Sequence, residues 1–136
     1  MSLQNATGAE ERAFTSRLVA FNALQAGPEL VHKFSLVLKD SEGQVVGGIS
    51  AARSWSTLVI DVLWVEDDQR GTGYGTLLLK AAEDRGRTLG CNLATLETFS
   101  FQAEEFYIRR GYSVVGRVPG WPPGGHLSRL AKKIRD

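Results

Sequence analysis

Residues 57 to 75, Thr57-Leu58-Val59-Ile60-Asp61-Val62-Leu63-Trp64-Val65 followed by Glu66-Asp67-Asp68-Gln69 and Arg70-Gly71-Thr72-Gly73-Tyr74-Gly75, pass from one backbone regime to another. Thr57–Val65 is β-branched and almost continuously apolar, the composition of a strand buried in the middle of a sheet. After the turn, Tyr74, Leu77, Leu78 and Ala81 share one helical face, and the helix runs to about Thr88 before Leu89-Gly90 closes it. Gly71, Gly73 and Gly75 permit positive φ and carry no Cβ to block a ligand approaching the backbone. The first amides of a helix have no intrahelical acceptor, and the dipole places about half a positive charge there. Strand, glycine turn and helix together predict an anion site, most plainly for a pyrophosphate. A tight turn without a ligand is the alternative.

Two other phosphate-binding designs do not fit. A P-loop needs Gly-Lys followed by Ser or Thr, whereas Tyr74-Gly75-Thr76 stands here and the nearest Lys is Lys80. A dinucleotide turn belongs early in a parallel βαβ unit, with an acidic residue ending the next strand. This turn follows a different kind of sheet. Phe34, Leu36 and Leu38 alternate with polar neighbours from Val31 onward, and Asp40-Ser41-Glu42-Gly43 supplies turn chemistry. Gln44–Ala52 resumes as a strand in which Gly47-Gly48 signals a bulge or a close backbone approach. With Thr57–Val65 these segments form an antiparallel meander.

Outward from that centre the chain alternates. Ahead of the meander, Phe14, Leu18, Phe21 and Leu24 place an apolar stripe on a helix from Glu10 to about Gln25, stopped by a left-handed Gly27 and by Pro28. Leu3–Thr7 is a candidate short edge strand. Beyond the glycine turn, Asn92–Thr98 reads as a strand, Ala103–Arg110 as a short helix ending at Gly111, Tyr112–Val118 as a strand and His126–Ile134 as the last strand. Pro119-Gly120-Trp121-Pro122-Pro123-Gly124-Gly125 makes a rigid connection between the last two. The predicted class is α/β with a mixed, α+β sheet: a meander followed by α-β-α-β-β.

At 136 residues the chain is sized for a single domain, 1–136, at about 100–200 residues per domain. Sixteen Lys and Arg against 15 Asp and Glu leave a net charge of +1, which gives no whole-molecule attraction to nucleic acid or anionic membranes, so neither is expected as a partner. No stretch approaches the ~20 apolar residues of a membrane span, and the first residues lack a charged-then-apolar signal pattern. Cys91 is the one cysteine and can make no internal disulfide, which fits a reducing, cytoplasmic setting. Two His, His32 and His126, are too few and too far apart for an intrinsic zinc site, so no metal is expected.

Arg70-x-x-Gly73-x-Gly75 opening a helix resembles the acetyl-CoA-binding motif of the GCN5-related N-acetyltransferase (GNAT) superfamily. Phe106-Tyr107-Ile108-Arg109-Arg110-Gly111-Tyr112 is similar to that superfamily's second signature, an aromatic pair on a short helix followed by Gly and an aromatic residue. Thr98–Ala103 and Pro122–His126 are similar to segments of a group of small bacterial members. The likeness spans nearly all of residues 9–134 in element order.

The resemblance implies an acetyl-CoA-dependent N-acetyltransferase with a GNAT-like fold and acetyl-CoA as co-substrate. It implies that Arg70, Gly71, Thr72, Gly73, Tyr74 and Gly75 bind the pyrophosphate, with the Arg70 side chain adding charge. It implies that the main chain of Leu63, Trp64 and Val65 pairs with the pantetheine arm, their side chains being structural and the Trp64 ring core. Tyr107 falls at the position of the acid that protonates the departing thiolate, a task suited to a phenol of pKa near 10; packing of the short helix is its alternative role. Phe106 reads as core. A backbone N–H near Val65 stabilises the oxyanion on the same analogy. The base stays open between Asp61, an acid inside an apolar strand, Glu97 on the next strand, and water. Glu97, Phe99, Trp121 and His126 are candidates to line the acceptor cleft. The acceptor is a small-molecule or peptide amine, and a homodimer is implied by the resemblance alone. The rival readings are a CoA-binding regulatory domain without turnover and a non-enzymatic dimeric scaffold.

Overall fold

Thr7 and Glu10 cap each other. The Thr7 hydroxyl accepts the Glu10 amide at 3.1 Å and the Glu10 carboxylate accepts the Thr7 amide at 2.9 Å. This capping box starts helix α1, Gly8–Ala26, two residues before the start expected from the apolar stripe. Residues 3–7 are irregular and not the edge strand expected, because residue 7 is committed to the cap. Gly27 ends α1 by donating its amide to the Ala23 carbonyl at 2.9 Å. Its φ of 80° is positive as expected, but ψ of 171° takes it out of the left-handed helical region. No α1 residue is buried, and Phe14, Leu18, Phe21 and Leu24 are exposed. The computed structural model describes residues 1–136 and divides into residues 1–30 and residues 31–136.

Residues 31–136 build one six-stranded sheet. Its strands are β1 (His32–Lys39), β2 (Val45–Ser54), β3 (Thr57–Val65), β4 (Leu93–Phe99), β5 (Ser113–Pro119) and β6 (His126–Lys133), with helices α2 (Tyr74–Thr88) and α3 (Glu104–Arg109) between them. The spatial order is β1-β2-β3-β4-β6-β5. All neighbours are antiparallel except β3 and β4, which run parallel because α2 returns the chain to the same end of the sheet. The mixed α/β class expected from sequence is the observed one.

Two irregularities place the site. The parallel pairing of β3 with β4 lasts only from Thr57–Leu93 to Val59–Thr95, and the C-terminal parts of both strands then run on without pairing each other. Across the other edge of β3, Ser50 faces Val62 and Ala51 faces Ile60, so Asp61 is an extra residue, a β-bulge. The bulge flips the alternation: Leu58 and Ile60 are buried before it, while Leu63 and Val65 pack on the core after it. Gly47 marks a close approach, since a Cβ there would sit 3.1 Å from the Trp64 carbonyl oxygen and 3.2 Å from Leu78 Cδ1, and it adjoins a register shift against β1 that leaves Val46 as an extra residue.

Helix α2 lies across β1, β2 and β3 and buries Leu78, Leu79, Ala82 and Gly86. Leu77 is exposed, so the buried stripe is rotated from the Tyr74-Leu77-Leu78-Ala81 face expected. The reason is Gly86, where an added Cβ would come within 3.1 Å of Leu58 Cδ2; the face carrying the glycine is the one that can touch the sheet. Burying a leucine such as Leu78 or Leu79 contributes roughly 1.5–3 kcal/mol. The buried Glu83 accepts from the Tyr112 hydroxyl at 2.8 Å and from Lys132 at 3.1 Å, so this carboxylate is fully partnered. Cys91 is buried among the apolar residues, and burial raises its thiol pKa.

Candidate active site

The divergence of β3 from β4 opens a cleft of about 860 Å³, lined by the end of β3, the glycine turn, the segment after β4 and helix α3. The turn makes one wall. A short 3₁₀ turn, Asp67–Gln69, precedes Gly71 and Gly73, which have φ of 81° and 88°. A Cβ at either would meet nothing within 4 Å, so the backbone there faces open space. Leu77 is the first amide of α2 bonded within the helix, to the Gly73 carbonyl at 3.0 Å. None of the backbone amides from Gly71 to Thr76 meets a backbone acceptor. These free donors, at the positive end of α2, are the chemistry an anion needs.

Gly75 differs from its two neighbours. A Cβ there would come within 3.2 Å of the Phe106 ring, so this glycine admits α3 against α2 and does not clear a path for a ligand. Arg70 is also differently engaged from the expectation. It donates to the Val65 carbonyl at 2.9 Å, pairs with Asp67 at 2.8 Å and lies 4.5 Å over the Trp64 ring. Its charge is partly spent inside the turn. The Trp64 ring, expected in the core, is half exposed in the cleft, because the bulge at Asp61 has moved Leu63 and Val65 onto the core side. Phe106 is half-buried and lines the cleft as well as touching the core.

Arg110 is a cleft residue that sequence reasoning passed over. It donates to the Thr76 hydroxyl at 2.7 Å and to the Phe106 carbonyl at 2.9 Å, and its guanidinium lies 3.8 Å over the Phe106 ring. The cation next to the Gly111 stop was the available signal. Phe101 and Gln102 also line the cleft.

Tyr107 stands on α3, 7% exposed, its ring edge-on to Phe106 at 5.1 Å and to Tyr112 at 5.9 Å. No buried side-chain oxygen lacks a hydrogen-bond partner, and the Tyr107 hydroxyl finds none in the chain, so that hydroxyl opens on the cleft. Desolvation raises its pKa, which keeps it in the protonated, donating form at neutral pH.

Six predicted residues lie off the cleft lining, among them Thr72, whose hydroxyl donates to the Gln69 carbonyl at 2.5 Å. Asp61 is exposed at the bulge. Glu97 is held by Arg129 at 2.5 Å, which ties up the carboxylate. Phe99 stacks on Phe101, and Trp121 meets Phe99 edge-on. His126 faces Glu104 at 3.2 Å. Glu104 also accepts from Ser128 at 2.9 Å and from Arg117. The Arg117 guanidinium above all holds the Glu104 pKa down at about 2. No group of three or more His, Cys, Asp or Glu side chains is arranged to hold a metal ion.

A strand that diverges from its parallel neighbour, a bulge before a glycine turn, and amides without backbone acceptors on a cleft that Tyr107 also lines are the features of this site. The model of the acetyltransferase (GNAT) family matches residues 7–112, and the chain belongs to that family, whose members are acyltransferases using acetyl-CoA. It is 39% identical over 93 residues to a blasticidin-S acetyltransferase of Streptomyces morookaense, covering 68% of each chain. The crystal structure of an acetyltransferase from Bacillus cereus superposes with a TM-score of 0.92 at 32% identity, over 98% of this chain and 97% of that one. An aminoglycoside 6′-N-acetyltransferase complexed with coenzyme A shares the fold, with a TM-score of 0.69 at 18% identity over 99% and 98% of the two chains.

Proposed function

We propose that residues 1–136 act as one acyltransferase domain that moves an acetyl group from acetyl-CoA to the primary amine of a small molecule or peptide, by direct attack while both are bound. The observation that carries this is the row of amides from Gly71 to Thr76, without backbone acceptors, on the cleft into which Tyr107 opens. Acetyl-CoA supplies a thioester already activated toward amines. The free amides receive its diphosphate, and Arg110 adds a cation on the same side. The unpaired edge of Leu63–Val65 hydrogen-bonds the pantetheine arm. A backbone N–H near Val65 faces the charge that develops on the thioester oxygen.

Tyr107 gives its proton to the departing sulfur; a thiolate whose parent thiol has a pKa of about 8.5 leaves more readily when protonated. Asp61 takes the proton from the amine through water. Both carboxylates are exposed, but Glu97 is already held by Arg129, which favours Asp61. Glu97, Phe99, Trp121 and His126 form the approach for the acceptor, with Phe101 added to them. The lone buried Cys91, unable to pair internally, supports a cytoplasmic setting.

The test is release of free thiol from acetyl-CoA across a panel of amines, run beside thermal unfolding with and without CoA. Thiol release that depends on an amine supports the transferase. Stabilisation by CoA with no release on any amine assigns a binding module instead. The absence of both effects overturns the site.

A further inference from the structure

Three aromatic rings form a platform beside the cleft, two of them exposed (Phe101 and Trp121) and packed against the half-buried Phe99. Phe101 is 71% and Trp121 52% exposed, though burying either would be favourable. Phe99 and Phe101 lie parallel within 5°, centroids 5.5 Å apart, and Trp121 stands 6.0 Å from Phe99 at 66°. Phe101 also lines the cleft that holds Tyr107 and Trp64, so the platform is continuous with the proposed site.

The frame beneath the rings leaves them little freedom. Phe99 donates its amide to the Gln102 side chain at 2.7 Å, and Gln102 donates its amide back to the Phe99 carbonyl at 2.9 Å. The loop carrying Trp121 is closed by Gly120 donating to Gly125 and Gly125 donating to Pro122, both at 2.9 Å. The two segments are tied together: Ser100 donates to the His126 carbonyl at 2.9 Å, and the Ser100 hydroxyl accepts from the His126 amide at 3.2 Å. Rings pre-positioned in this way lose little entropy on binding, which is the property of an anchor site.

We infer that this platform selects the acceptor: it binds a flat aromatic or heteroaromatic ring, whose amine on a short linker reaches the cleft. A parallel Phe99–Phe101 stack continues into a third layer only if the incoming group is planar. Trp121, angled to that stack, supplies the side wall. The rings present negative faces, so electron-poor or cationic rings fit best. A flexible aliphatic chain gains little from the stacked geometry beyond its buried area. The fate assigned to the amine rests on the transferase reading above, whereas binding of the ring does not.

The experiment compares 2-phenylethylamine with 2-cyclohexylethylamine, which carry the same amine and linker on a flat or a puckered ring. Calorimetry on the CoA-loaded protein measures ring binding, and thiol release from acetyl-CoA measures turnover. The flat ring is expected to bind roughly tenfold tighter, and Trp121→Leu or Phe101→Leu is expected to bring the ratio near one. Both positions are exposed, so the variants keep the core intact. Equal affinity for the two amines overturns the inference. So does a variant that changes the oligomeric state in sedimentation while leaving the ratio unchanged, since the rings then serve a contact between copies. Ring preference without thiol release on any amine sustains the platform and overturns the transferase reading.

Discussion

Gly75 and Phe106 touch across two helices: a Cβ at residue 75 would lie 3.2 Å from Cζ and 3.3 Å from Cε1 of the ring. Through this contact the turn that offers the amides and the helix that carries Tyr107 hold a common register. Arg110 adds a second tie by donating to the Thr76 hydroxyl. The two halves of the proposed chemistry are therefore spaced by packing and not by sequence distance.

Substituting Gly75 tests that coupling. Gly75→Val pushes α3 away from α2, and overpacking of this kind costs typically 1–3 kcal/mol. Activity is expected to fall further than CoA affinity, because Tyr107 moves relative to the sulfur. Calorimetry with CoA alongside kcat measures the two losses, and equal losses contradict the coupling.

Gly73 makes the opposite case. Its φ of 88° is left-handed and a Cβ there projects into open space, where the diphosphate is proposed to lie. Gly73→Val is expected to weaken acetyl-CoA binding at least tenfold, beyond the ~1–2 kcal/mol of backbone strain that lowers stability. Unchanged affinity by calorimetry removes the diphosphate from this turn.

Tyr107→Phe removes only the hydroxyl that opens on the cleft. It is expected to lower kcat by roughly 10²-fold or more while the KM for acetyl-CoA stays close to the parent value. Because burial raises this phenol's pKa, it stays protonated through neutral pH, and the rate loss from its ionisation belongs above the ordinary tyrosine range of about 10. A variant with full activity transfers the acid's role to water.

Glu104 links stability to acid. Its pKa is depressed to about 2 in the folded chain, chiefly by Arg117, against 4.5 as the ordinary value. A carboxylate lowered on folding stabilises above its unfolded pKa and loses that contribution as pH falls through the folded one. Stability is therefore expected to decline from about pH 4.5 toward pH 2, and Glu104→Gln to flatten that part of the curve in denaturant titrations. An unchanged slope removes Glu104 from the acid response.

The buried Glu83 anchors the end of the sheet to α2. Glu83→Ala strands the Tyr112 hydroxyl and the Lys132 ammonium, and a loss of about 3 kcal/mol is expected in chemical denaturation. A loss below 1 kcal/mol shows that water replaces the carboxylate.

Local chemistry was enough to locate the glycine turn, the strand before it and the helix after it, since φ freedom, β-branching and helical spacing are properties of neighbouring residues. The same holds for Tyr107 on its short helix. The capping box Thr7-x-x-Glu10 was equally readable, and the apolar stripe drew the boundary elsewhere. What no window of sequence contains is the bulge at Asp61, which arises from register against β2 and decides that Trp64 faces the cleft while Leu63 and Val65 face the core. Nor does it contain the early end of the β3–β4 pairing, the contact of Gly75 with Phe106, or the meeting of Phe99, Phe101 and Trp121. Each of these depends on where a distant strand or helix comes to rest, and only packing of the whole sheet sets that.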